Sequence, residues 1–255
     1  MQDAEINVRR DGAVMRIVIA RPAKKNALNK AMYERLIAAM AQADADDETR
    51  AILLSGAGGA FTAGNDLEDF RKPFENMKEF PALRFVRALA ALQTPIVAAV
   101  TGDAVGVGVT MLLHCDLVYA SRKARFLLPF VDLGLLPEAG STMLLPQRVG
   151  LAKATELMLL CDVFDAEEAF RLGLANALGD DEEQVESLAL SAARRLADKP
   201  RAALAATRRL LRGDAAAIAH RLEEEGALFA AALTTREFRT RLEAFFAPSP
   251  RADGA

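Results

Sequence analysis

Val100–Thr142 reads VTGDAVGVGVTMLLHCDLVYASRKARFLLPFVDLGLLPEAGST, and the rest of the chain is built around it. A strand-like start leads to glycine turns at Gly102 and at Gly106–Gly108, then to a short apolar helix-like run and a second strand over Leu117–Ala120. A buried-looking segment follows that holds one isolated acid, Glu138. A glycine turn that opens a helix presents free backbone N–H groups at the positive end of the helix dipole. Such a site favours an oxygen carrying negative charge.

The same order recurs immediately upstream. Ala51–Ser55 is a short apolar strand, GAGGAFTAGNDL is a glycine-rich loop, a helix is predicted over Ala82–Leu92 after Pro81, and Ile96–Thr101 is another buried strand. Earlier still, Ile6–Arg10 and Ala13–Ala20 flank Asp11-Gly12, a β-hairpin signature. The loop RPAKKNALN ends at Asn29, a suitable N-cap for a helix whose apolar positions are Met32, Leu36, Met40 and Ala43. Strand, glycine loop and helix in repetition predict an α/β fold with parallel strands whose C-terminal ends feed ligand-binding loops. Downstream, helices are predicted over Ala152–Leu160, Ala166–Leu172, Glu182–Ala197, Arg201–Leu211 and a long tract from Asp214 to Phe246. Arg194, Arg195, Arg208 and Arg209 read as solvated helix faces, and the tail APSPRADGA as disordered.

Composition narrows the function classes. A chain of 255 residues can bury a substantial core, and 52% hydrophobic with 26% charged residues is ordinary for a globular protein. A formal net charge of -3 offers no basic footprint, so nucleic acid is not an expected partner. Cys115 and Cys161 lack metal-ligand spacing and read as reduced thiols. The polar, acidic start resembles no targeting peptide, and Asp103 and Asp116 interrupt the most apolar stretch. The expectation is a cytoplasmic protein not anchored to a membrane.

Most catalytic signatures fail on spacing. Gly106-Val-Gly108 is only part of a dinucleotide fingerprint, and G-x-S-x-G, P-loop and HExxH motifs do not occur. His114 lies in an apolar run and reads as a satisfied core histidine. Two features survive. The first is the pair of turns Ala63-Gly64-Asn65-Asp66 and Gly106-Val107-Gly108, each after a predicted strand; either the N–H groups of Asn65 and Val107 converge on one oxygen, or these are two unrelated turns. The second is Glu138, set among Phe130, Val131, Leu135, Leu136 and Pro137. It is either a desolvated general base, its pKa raised from about 4.3 towards 6–7, or an acid beside the N-terminus of a helix starting near Gly140.

The motifs ARPAKKNALN, GAFTAGNDL and AAVTGDAVGVGVTMLLHCDLVYAS, then LPF, LGLLPEAGST and the VG-AKA-EL continuation, closely resemble the enoyl-CoA hydratase/isomerase (crotonase) superfamily. The resemblance implies an α/β spiral of ββα units over residues 1–195, with a helical trimerisation region over 196–255 and assembly as a trimer or a dimer of trimers. It also implies an acyl-CoA thioester substrate from fatty acid metabolism, with coenzyme A entering as part of that substrate and neither a resident cofactor nor a metal. By motif matching, the oxyanion hole falls on the N–H groups of Asn65 and Val107, and the coenzyme A contacts on Lys24, Lys25, Ala27, Ala63, Gly64, Asp66, Leu67 and Gly106. Segment Phe70–Phe80, with Phe74 and Met77, would line an acyl tunnel or simply pack in the core.

The departures from the family pattern choose among its reactions. The two glutamates that activate water in its hydratases fall here on Thr110 and Phe130, neither of which can be a base. Glu138 instead matches the single catalytic glutamate of the peroxisomal-type Δ3,Δ2-enoyl-CoA isomerases. The implied reaction converts a 3-enoyl-CoA to the 2-trans isomer by moving a proton from C2 to C4. Two rivals stand beside it: a hydratase or lyase that recruits Glu138 with Asp132 or Asp66, and a noncatalytic acyl-CoA-binding protein. The family's usual basic ending is replaced by AFFAPSPRADGA, so the last helix need not contact a neighbour's coenzyme A.

Overall fold

A computed structural model of the chain describes residues 5–71 and 80–247. The hairpin forms as expected: β1 (Ile6–Asp11) and β2 (Val14–Ile19) are antiparallel, and Gly12 turns between Asp11 and Val14 at φ +59°. Helix α1 (Lys30–Ala45) is capped by Asn29, whose side chain accepts from the Met32 N–H. Next come β3 (Ala51–Gly56), β4 (Ala60–Thr62), α2 (Pro81–Ala91), β5 (Ile96–Val100), β6 (Asp103–Val105), the one-turn helix α3 (Val107–Thr110), β7 (Leu117–Ser121) and β8 (Arg125–Leu127). The remainder comprises α4 (Ser141–Val149), α5 (Leu151–Leu159), β9 (Phe164–Asp165), α6 (Ala166–Arg171), β10 (Ala177–Gly179), α7 (Glu182–Ala197), α8 (Arg201–Arg212), α9 (Ala215–Ala232) and α10 (Arg236–Phe246).

Two sheets share the strands. The larger has the order β1-β2-β3-β5-β7-β10 and is parallel from β2 onward; the smaller has the order β4-β6-β8-β9. Each long strand β3, β5 and β7 is followed by a short strand in the second sheet, so successive ββ pairs step sideways in register. The apolar runs are continuous because both faces of the large sheet are covered. Ile52, Leu54, Ile96, Ala98 and Val100 join the main core with α1 and α2, whereas Ala51, Leu53, Val97 and Ala99 meet Val185, Ala189 and Ala193 of α7 on the other face. Among the described residues no helix is long and apolar enough to cross a membrane.

Two expectations need correction. The tract from Asp214 to Phe246 is two helices rather than one: the chain turns at Leu233–Thr235, where Thr235 caps α10 by accepting from Phe238 N–H. Arg208 is also no solvated charge. It is 8% exposed, donates to Asp116 Oδ1 at 2.7 Å and to the carbonyls of Leu92 and Gln93, and so ties α8 to the strand connections. Removing one member of a buried pair strands the other charge. Arg208→Met should therefore lower unfolding stability by roughly 3 kcal/mol in a urea titration. The expected cost is at the low end of that class because Asp116 keeps the Ile96 N–H and the neighbouring Arg212. An unchanged midpoint would mean that the pair contributes nothing.

Candidate active site

Strands β4 and β6 are parallel neighbours, pairing Ala60 with Asp103 and Thr62 with Ala104, so both glycine turns leave the same edge side by side. The turns touch at a distance that only glycine permits. Gly64 has φ +83°, and a Cβ there would stand 2.6 Å from the Val105 carbonyl oxygen and 3.9 Å from Gly106 Cα. Behind them Gly108 faces Thr62, whose Cγ2 would be 2.7 Å from any added Cβ.

Among the described residues, one backbone donor at each turn has no main-chain acceptor. Leu28 bridges to Asn65 in parallel fashion: Leu28 N donates to Gly64 O at 2.7 Å, and Asp66 N donates to Leu28 O at 2.9 Å. In that pattern the N–H of Asn65 itself points away from Leu28. Val107 is the first residue of α3, where an N–H has no acceptor within its own helix. The Asn65 side chain is held separately, its Oδ1 accepting from the buried Tyr33 hydroxyl at 2.6 Å.

Glu138 lies in the loop between β8 and α4 and is 1% exposed. Its Oε1 accepts from the Thr110 hydroxyl at 2.5 Å, and its Oε2 has no hydrogen-bond partner among the described residues. Thr110 ends the single turn that Val107 begins, so the acid is fastened to the helix that starts at the glycine turn. Burial pushes the carboxyl up to about 8; the Thr110 hydrogen bond opposes the rise, and the charge of Glu225 adds to it. Tyr33 is raised well above its ordinary value, first by burial and then by the charge of Glu138, which places the phenol within electrostatic reach of the acid. Phe130 is buried, its Cζ 3.8 Å from where a Gly106 Cβ would stand.

The loop around Glu138 is fixed from two sides. His114 Nε2 donates to the Ala139 carbonyl at 2.7 Å, and burial lowers this imidazole to about 4, so it is a neutral, satisfied core histidine as expected. Glu138 does not cap the following helix. Gly140, at the N-cap, has no side chain to offer, and Glu225 of α9 instead accepts from Gly140 N at 2.6 Å, Thr142 N at 2.9 Å and the Thr142 hydroxyl at 2.6 Å.

The first loop runs beside these turns. Ala63 N donates to Lys25 O at 2.9 Å, which brings Lys24, Lys25 and Ala27 alongside Ala63 and Gly64, with both lysine side chains exposed. Arg21 pins this arrangement, donating to Asp66 Oδ2 at 2.6 Å and to Ala27 O at 3.1 Å. Asp66 is thus engaged, while Asp132 is exposed. Leu67 opens a short 3₁₀ helix, Leu67–Arg71, in which Phe70 packs with Phe80, Phe229 and Phe238 at ring separations of 5.5–6.3 Å. Phe74 and Met77 lie outside the described residues, as does the tail after residue 247.

Sequence reasoning missed Tyr33, Arg21 and Glu225 as parts of this site, and Thr110 was weighed only as a base. Tyr33 carried a faint signal, a polar aromatic on the apolar stripe of α1. Glu225 carried none, standing in the run Glu223-Glu224-Glu225, whose members look alike in sequence.

Comparison with known proteins places this architecture. A family model described as enoyl-CoA hydratase/isomerase matches residues 9–247. The 1,2-epoxyphenylacetyl-CoA isomerase of Escherichia coli (strain K12) is 39% identical over 196 residues, 73% of this chain and 74% of that protein. Enoyl-CoA delta isomerase 2 of Rattus norvegicus is 40% identical over 175 residues, 66% of this chain but only 44% of the rat protein. A crystal structure of an enoyl-CoA hydratase/isomerase from Pseudoalteromonas atlantica T6c superimposes with a TM-score of 0.91 at 42% identity, covering 96% of this chain and 99% of that one. With its two glycine turns side by side and a buried acid fastened to the second, the chain belongs to the enoyl-CoA hydratase/isomerase family and is an acyl-CoA enzyme of the crotonase fold.

Proposed function

We propose that the protein shifts the double bond of a 3-enoyl-CoA to the 2-trans position, with Glu138 as the proton carrier. The observation that carries this reading is the state of Glu138: a buried carboxyl with one hydroxyl partner and one oxygen that has none among the described residues, next to the turn that begins at Val107. The thioester oxygen would sit between the N–H groups of Asn65 and Val107, donors fixed in advance at the point where negative charge develops. Glu138 then takes a proton from C2, and the C–H electron pair delocalises through C1–C4 onto the thioester oxygen as a dienolate. The same carboxylic acid returns its proton to C4, the carbonyl re-forms, and C2=C3 replaces C3=C4. Atoms balance without water or any co-reactant, and burial raises the carboxyl to about 8, the direction that suits a general base near neutral pH.

The first loop, with Lys24, Lys25, Ala27, Ala63, Gly64, Asp66, Leu67 and Gly106, is the proposed coenzyme A contact surface, and no resident cofactor takes part. A family-type trimer or dimer of trimers fits the exposed apolar side chains Leu151, Leu160, Leu210 and Leu211.

Hydration would need a second acid to position water. By the family resemblance the positions for the hydratase glutamates fall on Thr110 and Phe130, which are no acids; Asp66 is paired with Arg21, and Asp132 faces solvent. Two substrates test the proposal. With 3-hexenoyl-CoA the absorbance of a conjugated enoyl thioester should appear, and kcat/KM should rise with pH up to about 8 as Glu138 ionises. With crotonyl-CoA the conjugated absorbance should persist. Its loss through water addition, with 3-hexenoyl-CoA left unchanged, would replace the isomerase by the hydratase.

A further inference from the structure

Helix α4 begins three residues after Glu138, and its first amides are a natural docking point for a carboxylate. Glu138 is the nearest acid in sequence, and a glutamate bound to those amides would be a stable anion and a weak base. The place is already taken. Glu225, 4% exposed on α9, accepts from Gly140 N and Thr142 N through separate oxygens and from the Thr142 hydroxyl. Thr142 Oγ1 in turn accepts from Arg221, which also pairs with Glu224; burial raises the Glu225 carboxyl, and its hydrogen bonds from Thr142 and Gly140, then the charge of Arg221, oppose the rise.

We propose that Glu225 is a positioning residue for the double-bond shift: it occupies the α4 N-terminus, keeps Glu138 off those amides, and, when ionised, sets a negative charge behind it. This rests on Glu138 being the proton carrier. The consequence is a base of greater proton affinity than burial and the Thr110 hydrogen bond would leave it. The charge of Glu225 acts on Glu138 in that sense, as a like charge does. The other groups facing this pair do not supply that charge. Thr110 is a hydroxyl donor to Glu138, Tyr33 on α1 and His114 beyond α3 are neutral, and Arg221 on α9 sits on the Glu225 side.

The test compares wild type, Glu225→Gln and Glu225→Ala with 3-hexenoyl-CoA across pH, together with an infrared titration of Glu138, assigned by subtracting Glu138→Gln. Glu225→Gln keeps an acceptor oxygen for the α4 amides while removing the charge. It should move the acid limb of kcat/KM, and the Glu138 carboxyl band, to lower pH by roughly one unit. A purely structural cap would lower stability and leave both midpoints in place, and that result overturns the proposal. If Glu225→Ala does not fold, Glu225→Gln alone still decides. The infrared midpoint is read without catalysis, so full turnover in Glu138→Gln would sink the proton-carrier reading while leaving the influence of Glu225 on Glu138 to be judged separately.

Discussion

Glu138→Gln should lower kcat for the double-bond shift by roughly 10²–10⁴-fold, the usual worth of a positioned general acid–base. Glutamine keeps an acceptor for the Thr110 hydroxyl and nearly the same volume, so acyl-CoA affinity should be unchanged and the loss should fall on kcat alone. The same substitution should change stability in a pH-dependent way. Folding raises Glu138 from 4.5 to about 8, so the folded chain holds this proton more tightly than the unfolded one. The associated stabilisation is complete below about 4.5 and is lost as pH rises through about 8, where a bare charge must be kept in the interior. Glutamine has no such charge. The thermal midpoint of Glu138→Gln minus that of wild type should therefore grow from pH 5 to pH 9. His114 works in the opposite direction: its value falls on folding from 6.5 to about 4, so its contribution is present above 6.5 and is lost as pH drops through 4. A variant with full turnover and a pH-independent stability difference would rule out a buried proton carrier at this position.

Gly64→Ala should be the most damaging single-methyl change in the site. The φ of +83° strains any side-chain-bearing residue by roughly 1–3 kcal/mol. The new Cβ would also fall 2.6 Å from a backbone oxygen, which cannot rotate away as a flexible side chain would. The two turns must then separate, carrying the Asn65 N–H away from that of Val107. Misplacing one such donor typically costs about 10²–10³-fold in rate. Measured kcat/KM should fall by that factor while the thermal midpoint drops only by the amount the strain accounts for. Near-wild-type kcat/KM would show that the close approach of Gly64 to Val105 and Gly106 does not govern the donors.

Much of this site could be read from the residues, and the limits have physical causes. The apolar runs of β3, β5 and β7 stand out because strands covered on both faces need no polar alternation, and Asp11-Gly12 and Asn29 are local signals with local causes. β4, β6 and β8, three residues each, do not stand out: Ala60-Phe61-Thr62 is too short to show a period and lies among glycines. The second sheet that sets the turns edge to edge was therefore invisible, and their convergence stayed one of two alternatives. Glu138 was conspicuous as an acid in an apolar stretch, but its two roles could be separated only by knowing what else reaches Gly140. That answer comes from Glu225, 85 positions further along the chain, and no local pattern carries it. Arg208 was misread for the same reason, since its acceptors at Leu92 and Gln93 are distant in sequence.

That distance also favours one order of events during folding. The sheets, the glycine turns and the loop bearing the acid all precede α8 and α9, and contacts that close such long stretches form late because their entropy must be met first. A nascent or refolding chain with its sheets already assembled would still have bare amides at the start of α4 and an acid free to settle on them. Catalytic competence should thus arrive in the final docking step, after the substrate-binding surface has taken shape.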